Sequence, residues 1–425
     1  MKISVIGLGK IGLCMSALYA SRGFEVIGID TSSETVQAVN DKRTLNYEPG
    51  LPELLRSVNI KATIDYEAIL DTEITFIMLP SPSGDDGYFR SDYVEACAKR
   101  IAPILATKTS YHVVVVVSTL MPNTMKTVIA PHFKGTGVGL CYNPTFVAIG
   151  NILKGLSEPD AIVIGESDTK AGNLLRQFYL KVCLKDSSIR RMSFVNAELC
   201  KLLLNCFITT KISIANTCAE ICEQFAGGDA DVVMSFLGAD SRIGKKCLKG
   251  GTGYGGTCFP RDSRALVALT KKVGVNSAVQ MGTGFFNDCH DANIGSKIRS
   301  LVSHDETISV LGLTYKPDTA LVDESSAVRI VKMLVRDGRK VRVYDPQGMN
   351  DARKELGEEV YYSTSIENCL KGTSLCVIAV DWQEFKVLDS HVFTSNMKTP
   401  RVLDVWRIHR DFENELDYYA VGVAR

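Results

Sequence analysis

At 425 residues, with 45% hydrophobic and 23% charged side chains, the chain is too long for one ordinary core and too apolar for disorder. Its 48 Lys and Arg balance 48 Asp and Glu, so no overall field favours nucleic acid or an anionic membrane surface. Thirteen cysteines, an odd number without repeated spacing or paired CxxC motifs, argue against a disulfide framework and a metal site and read as thiols of a reducing, cytoplasmic protein.

The opening segment, Lys2-Ile-Ser-Val-Ile-Gly-Leu-Gly-Lys-Ile-Gly12, is a β-branched strand running into glycines. A helical pattern follows over 13–22, then a second strand over 25–30 that ends in Asp30, which completes a βαβ unit. A chain that opens on a strand is not expected to carry a signal peptide. Strand and helix signals alternate through 74–79, 111–118, 138–141 and 161–165, the pattern of a doubly wound parallel sheet, expected as a domain over residues 1–190. The longest strongly apolar run, 113–117, is far short of the ~20 residues that span a bilayer and reads as a buried strand, so no membrane association is expected.

From 193 to about 225 the chain runs without Gly or Pro, which predicts a single long helix. It is apolar around much of its circumference and should be buried between domains or against a second subunit. This helix and the helical signal continuing to about 291 make a central domain over 191–300. At 307 the opening pattern returns: a strand into Gly312, helical 326–337, and Lys340-Val-Arg-Val-Tyr-Asp345. The repeat predicts a second Rossmann-like domain over 301–425 whose phosphate loop has lost its second and third glycines and could take a different nucleotide. The expected fold class is α/β, with two Rossmann-like doubly wound domains joined by a central long-helix domain.

Gly7-x-Gly9-x-x-Gly12 between strand and helix permits a tight turn, a close approach to a pyrophosphate and close helix packing, with the anion at a helix N-terminus. Asp30, 18 positions after Gly12, would accept the ribose hydroxyls and repel a 2′-phosphate, which favours NAD over NADP. The stretch Gly250-Gly-Thr-Gly-Tyr-Gly-Gly-Thr-Cys258-Phe-Pro-Arg-Asp262 puts five glycines before a cysteine and a helix after it. It reads equally as a flexible connector or as a loop whose amides close around a sugar or phosphate beside a thiolate favoured by the helix dipole. Lys201 and Asn205 share one face of the long helix. Lys201 could snorkel to the surface or, if buried, stabilise an oxyanion. Ser118-Thr119 end a buried strand at the sheet edge where ligands bind in such folds, or simply cap it.

These motifs resemble the UDP-glucose/GDP-mannose dehydrogenase family, over nearly the whole chain and in the family's order. The series includes Tyr47-Glu-Pro-Gly-Leu51, Leu79-Pro-Ser-Pro-Ser83, Asn143-Pro-Thr-Phe146, Glu198-Leu-Cys-Lys201, Asp240-Ser-Arg-Ile-Gly244, Gly312-Leu-Thr-Tyr-Lys-Pro-Asp318 and Asp381-Trp-Gln-Glu-Phe385. The resemblance implies NAD-dependent oxidation of a sugar CH2OH to a carboxylate in two hydride transfers. It makes Cys258 the nucleophile, Lys201 and Asn205 the stabilisers of the thiohemiacetal oxygen, Asp262 the proton-transfer group and Thr119 a positioner of water. Gly7, Gly9, Lys10, Ile11, Gly12, Asp30, Pro80, Ser81, Ser118 and Thr119 would hold the cofactor. Thr145, Phe146, Ile149, Lys201, Asn205, Lys249, Tyr254, Gly255, Tyr315 and Lys316 would hold a UDP-sugar, with Arg242 reaching in from a partner in a homodimer built on the long helix.

The wording around Cys258 is closest to the UDP-glucose branch, whose product is UDP-glucuronate. Several positions depart from the family: Thr145 replaces the glutamate assigned to thioester hydrolysis, Ile149 a second glutamate, Asp323 an arginine, and Asp404-Val-Trp406-Arg407 the usual Asp-Gly-Arg. Without that glutamate, release of a 6-aldehyde, another nucleotide sugar as substrate, or a weakly active binding protein stand as alternatives.

Overall fold

The computed structural model describes residues 1–424, and the chain divides into two compact units, Met1–Leu204 and Asn205–Arg425. The first unit holds strands β1 (Lys2–Ile6), β2 (Glu25–Ile29), β3 (Ile60–Thr63), β4 (Ile74–Ile77), β5 (Val113–Val116), β6 (Gly139–Tyr142), β7 (Ala161–Glu166) and β8 (Ser188–Met192). They form one eight-stranded sheet in the order β3-β2-β1-β4-β5-β6-β7-β8. The six strands β1–β6 run parallel in the Rossmann order. One correction applies to the expected all-parallel sheet, since β7 pairs antiparallel to β6, Cys141 opposite Glu166, and β8 follows β7. The apolar run of β7 carries no mark of direction, which is set by the connection through the short helix Ile152–Ser157. Strands β3 and β8 were not expected. Both lie at edges, and the polar residues of Ser188–Met192 mask a strand whose one side has no neighbour.

Every residue of β5 is fully buried, as its unbroken valines require of a central strand covered on both faces. One covering layer is aromatic: Phe178 of the helix Thr169–Val182 meets Tyr19 edge-on at 4.8 Å and Phe76 at 5.1 Å.

The second unit holds β9 (Ile308–Leu311), β10 (Val341–Tyr344), β11 (Tyr361–Tyr362), β12 (Leu375–Ile378), β13 (Arg401–Asp404) and β14 (Asp417–Ala420). Their order, β11-β10-β9-β12-β13-β14, is the same 3-2-1-4-5-6 arrangement, parallel throughout. Three helices precede this sheet within the unit: Ala230–Ala239, Phe259–Val273 and Ala278–Leu301.

The long helix runs Phe194–Cys222, close to the expected 193–225. By length and composition alone it is the one helix among the described residues that could cross a bilayer. It carries Glu198, Lys201 and Asn205 in specific pairings given below, and 44% of its most apolar stretch is buried.

Candidate active site

The first unit assembles the dinucleotide loop as the glycine spacing requires. Gly7 sits at φ 94°, and a Cβ there would lie 2.2 Å from the Met78 carbonyl oxygen. A Cβ on Gly12 would lie 1.9 Å from the Gly7 carbonyl oxygen, whereas one on Gly9 would meet nothing within 4 Å. Gly7 and Gly12 are therefore fixed by the protein's own backbone, and Gly9 borders open space. The helix Lys10–Ser21 begins directly after Gly9 with no side-chain cap, leaving the first amides, including those of Lys10 and Ile11, to an anion. Asp30 Oδ2 accepts the Leu8 amide at 2.8 Å and Oδ1 the Ser32 amide at 2.9 Å, which orients the carboxylate at the end of β2. These features fit a dinucleotide.

At the next strand ends, Ser118 is buried and its hydroxyl both accepts from the Leu79 amide and donates to the Leu79 carbonyl, each at 2.8 Å. This hydroxyl joins two strand ends at the rim of the sheet. Thr119 is partly exposed, Pro80 exposed and Ser81 buried.

Also in this unit, Lys201 is 9% exposed and does not snorkel. Its Nζ donates to the Thr145 carbonyl at 2.8 Å and lies 5.3 Å from the Phe146 ring centroid. Two carboxylates given no role above hold this neighbourhood. Glu198, one turn before Lys201, accepts the amides of Asn123 at 2.7 Å and Met125 at 2.8 Å, and burial pushes its carboxyl up to about 7. Glu48 accepts the amides of Gly150 at 3.0 Å and Ile152 at 2.8 Å, fixing the end of the loop that carries Ile149.

In the second unit Cys258 is exposed and is the N-cap of Phe259–Val273, so the cysteine stands at a helix N-terminus as its sequence context suggested. Its Sγ lies 3.7 Å from Thr257 Oγ1. Asp262, four residues on, is fully buried; Oδ2 accepts from Asn205 Nδ2 at 2.6 Å, and Arg261 Nε lies 3.4 Å from Oδ1. Asn205 thus meets Asp262 directly.

The glycine-rich loop is not a flexible connector. A Cβ on Gly251 would lie 2.6 Å from the Trp406 ring, and one on Gly256, at φ 82°, would lie 2.6 Å from the Tyr315 ring. A Cβ on Gly255 would lie 2.3 Å from the Glu324 carbonyl oxygen. The glycines admit neighbouring rings and backbone. The amides of Gly251, Gly253, Tyr254 and Gly256 donate within the protein, to Asn216 Oδ1, Asp291 Oδ1, Asn287 Oδ1 and the Asp323 carbonyl. The expectation that this loop's amides close around a ligand is corrected for these four. No local pattern points to Asn216, Asn287, His290 and Asp291, because their partners lie 33 to 39 residues away.

Tyr254 is buried, so its side chain packs within the protein. Lys249 Nζ lies 6.0 Å from the Trp406 ring; burial, then Arg407, pull its pKa down against Asp381, Asp231 and Asp404. Lys316 Nζ lies 5.9 Å from the Tyr315 ring. Arg242 is exposed and pairs with Asp240 at 2.7 Å in its own chain. Arg407, where the usual Asp-Gly-Arg is altered, is a buried clamp: it grips both Asp231 oxygens at 2.9 Å and the Gly250 carbonyl at 2.6 Å. Asp345, the counterpart of Asp30, accepts the amides of Leu313 at 2.7 Å and Gly348 at 2.6 Å and Trp382 Nε1 at 3.2 Å. It is consumed in stapling its own loop, so the ribose role open to Asp30 is not repeated there.

Three family models match in order: the UDP-glucose/GDP-mannose dehydrogenase family NAD binding domain over residues 1–183, its central domain over 195–288 and its UDP binding domain over 309–411. The chain is 32% identical to the UDP-glucose 6-dehydrogenase AglM of Haloferax volcanii, over 98% of this chain and 99% of that one. It superposes on a UDP-glucose dehydrogenase from Pyrobaculum islandicum with a TM-score of 0.88, at 30% identity, covering 100% and 98% of the two chains. A UDP-D-ManNAc dehydrogenase from Pyrococcus horikoshii shares the fold at a TM-score of 0.83 and 24% identity, covering 99% of each chain.

Proposed function

The chain belongs to the UDP-glucose/GDP-mannose dehydrogenase family and is an NAD-dependent UDP-sugar dehydrogenase, and from that premise we propose that it oxidises the C6 alcohol of UDP-glucose to the carboxylate through Cys258. The observation that carries the reading is the exposed Cys258 at a helix N-terminus with a buried Asp262 one turn on, held by Asn205. The two relatives named for UDP-glucose support that sugar over ManNAc.

NAD, when bound, accepts one hydride in each of two oxidations. Gly7, Gly9, Lys10, Ile11 and Gly12 would cradle its diphosphate and Asp30 would take its ribose hydroxyls. Oxidation of the alcohol gives an aldehyde, releasing one proton. The Cys258 thiolate adds to that carbonyl, forming a C–S bond and a thiohemiacetal. Lys201 and Asn205, one turn apart on the long helix, supply a cation and an amide N–H to its oxygen. Loss of the second hydride and the hydroxyl proton gives the thioester. Water then cleaves the C–S bond, yielding the acid and returning the thiol, with Asp262 and Thr119 handling the proton and the water. The dimer completes the reading: Phe207, Ile214 and Ile221 recur every seven residues on the long helix and are 69%, 56% and 54% exposed, a surface suited to a second copy. The reading places the enzyme in the cytoplasm.

A second reading is favoured by Thr145, which has no carboxylate to act as base near neutral pH. Within the same unit Glu48 and Glu198 are committed to backbone amides. Hydrolysis without a general base would slow by ~10² to 10⁴-fold, which favours release of a 6-aldehyde or action on another nucleotide sugar.

The Cys258→Ala variant tests the covalent route. It should form no acid and show no sugar adduct by intact-protein mass, whereas full turnover in this variant contradicts the route.

A further inference from the structure

His290 lies on the helix Ala278–Leu301, is 1% exposed, and has no part in the chemistry described above. Its Nδ1 is 2.6 Å from Glu220 Oε1 of the long helix, and its Nε2 is 2.7 Å from the carbonyl oxygen of Gly251, in the loop that leads to Cys258. A carbonyl oxygen only accepts. Glu220 also accepts from Asn293 Nδ2 at 3.0 Å, and His290 holds its carboxyl below the usual range, so it too is an acceptor. Both ring nitrogens must then donate, which only the doubly protonated ring can do. Neutral imidazole would turn a lone pair toward one of the two oxygens.

The surroundings sustain the charge. Asp291 follows on the same helix and is paired with Arg329 at 2.6 Å, Glu220 faces the ring from the long helix, and Phe286 stacks on it at 5.7 Å between centroids. Arg407 grips the preceding carbonyl, Gly250, so two buried cations hold consecutive carbonyls of one loop. Burial alone would lower the imidazole pKa, but the Glu220 and Gly251 bonds outweigh it and the net direction is upward. The same helix fixes Tyr254 through Asn287 and Gly253 through Asp291.

We propose that His290 is a positioning residue for the cysteine loop, gripping Gly251 as a buried imidazolium, and that losing its second proton releases this grip and sets an alkaline limit on turnover. The inference rests on the reading of Cys258 as nucleophile for its effect on rate, but not for its protonation state. With the folded pKa raised, the grip is complete below about 6.5, the ordinary imidazole value, and is lost as pH rises through the higher folded value.

Two measurements on the full chain test it. In ¹⁵N-histidine-labelled protein, with His290 assigned by its absence in His290→Gln, both ring nitrogens should carry protons at pH 7.5, where an unperturbed imidazole of pKa about 6.5 is mostly neutral. A neutral tautomer at that pH overturns the proposal, whatever the substrate proves to be. In steady-state assays His290→Ala should lower kcat about tenfold, the worth of one charge-assisted hydrogen bond, with the KM for NAD unchanged. His290→Gln keeps an N–H for Gly251 without a titrating charge, so it should recover part of that loss and shed the alkaline fall seen in the native enzyme. An alkaline fall identical in the native enzyme and His290→Gln also overturns it.

Discussion

Asn205 donates to Asp262 across 2.6 Å, from the long helix to the first turn of the helix that Cys258 begins. Asp262 has no solvent exposure, so its carboxylate depends on this amide and on Arg261. Asn205→Ala should destabilise the fold by about 1–3 kcal/mol, the cost of a buried acceptor left short of a partner. It should also lower kcat about ten- to a hundredfold, as expected for a displaced proton-transfer group. Denaturant unfolding and steady-state kinetics read the two effects, and native values of both would contradict the assigned pairing.

Acid stability should depend on Asp229, the N-cap of the helix Ala230–Ala239. The Arg410 guanidinium, which donates to both its oxygens, holds the Asp229 carboxyl down to about 2. A depressed carboxyl contributes stability that is present above about 4, its unfolded value, and is lost as pH falls through the folded value near 2. Arg410→Ala should cost about 1 kcal/mol at pH 7, because the pair is partly exposed and the Asp231 and Val232 amides keep their share of the shift, and the difference from the native protein should close as the pH falls toward 2, by chemical denaturation at a series of pH values. A difference that does not change with pH would assign the loss to packing.

The exposed heptad stripe predicts self-association. Ile214→Arg, at the middle of that stripe, should weaken the dimer about thirtyfold or more, the worth of a central apolar contact, by light scattering across a concentration series. A native chain that remains monomeric throughout contradicts the dimer.

What the sequence revealed depended on how local the cause was. Gly7, Gly9 and Gly12 were legible because a turn and a helix start fix their roles within a few residues, and the alternating apolar runs marked most strands. The long helix was legible from its lack of breakers. Asp30 and Asp345 end matching strands and read alike, yet one orients a carboxylate beside a glycine loop and the other is buried under Leu313, Gly348 and Trp382. Trp382 is 37 residues from Asp345, so no local pattern announces the difference. The same holds for Lys201, whose Nζ donates to the carbonyl of Thr145, 56 residues earlier, and for the reversal of β7.

A four-electron oxidation at Cys258 despite Thr145 is read out by the NADH formed per UDP-glucose consumed, with the product weighed by mass spectrometry. Two NADH should form, with a product heavier by one oxygen and lighter by two hydrogens, the acid. One NADH with a product lighter by two hydrogens, the free aldehyde, would contradict it.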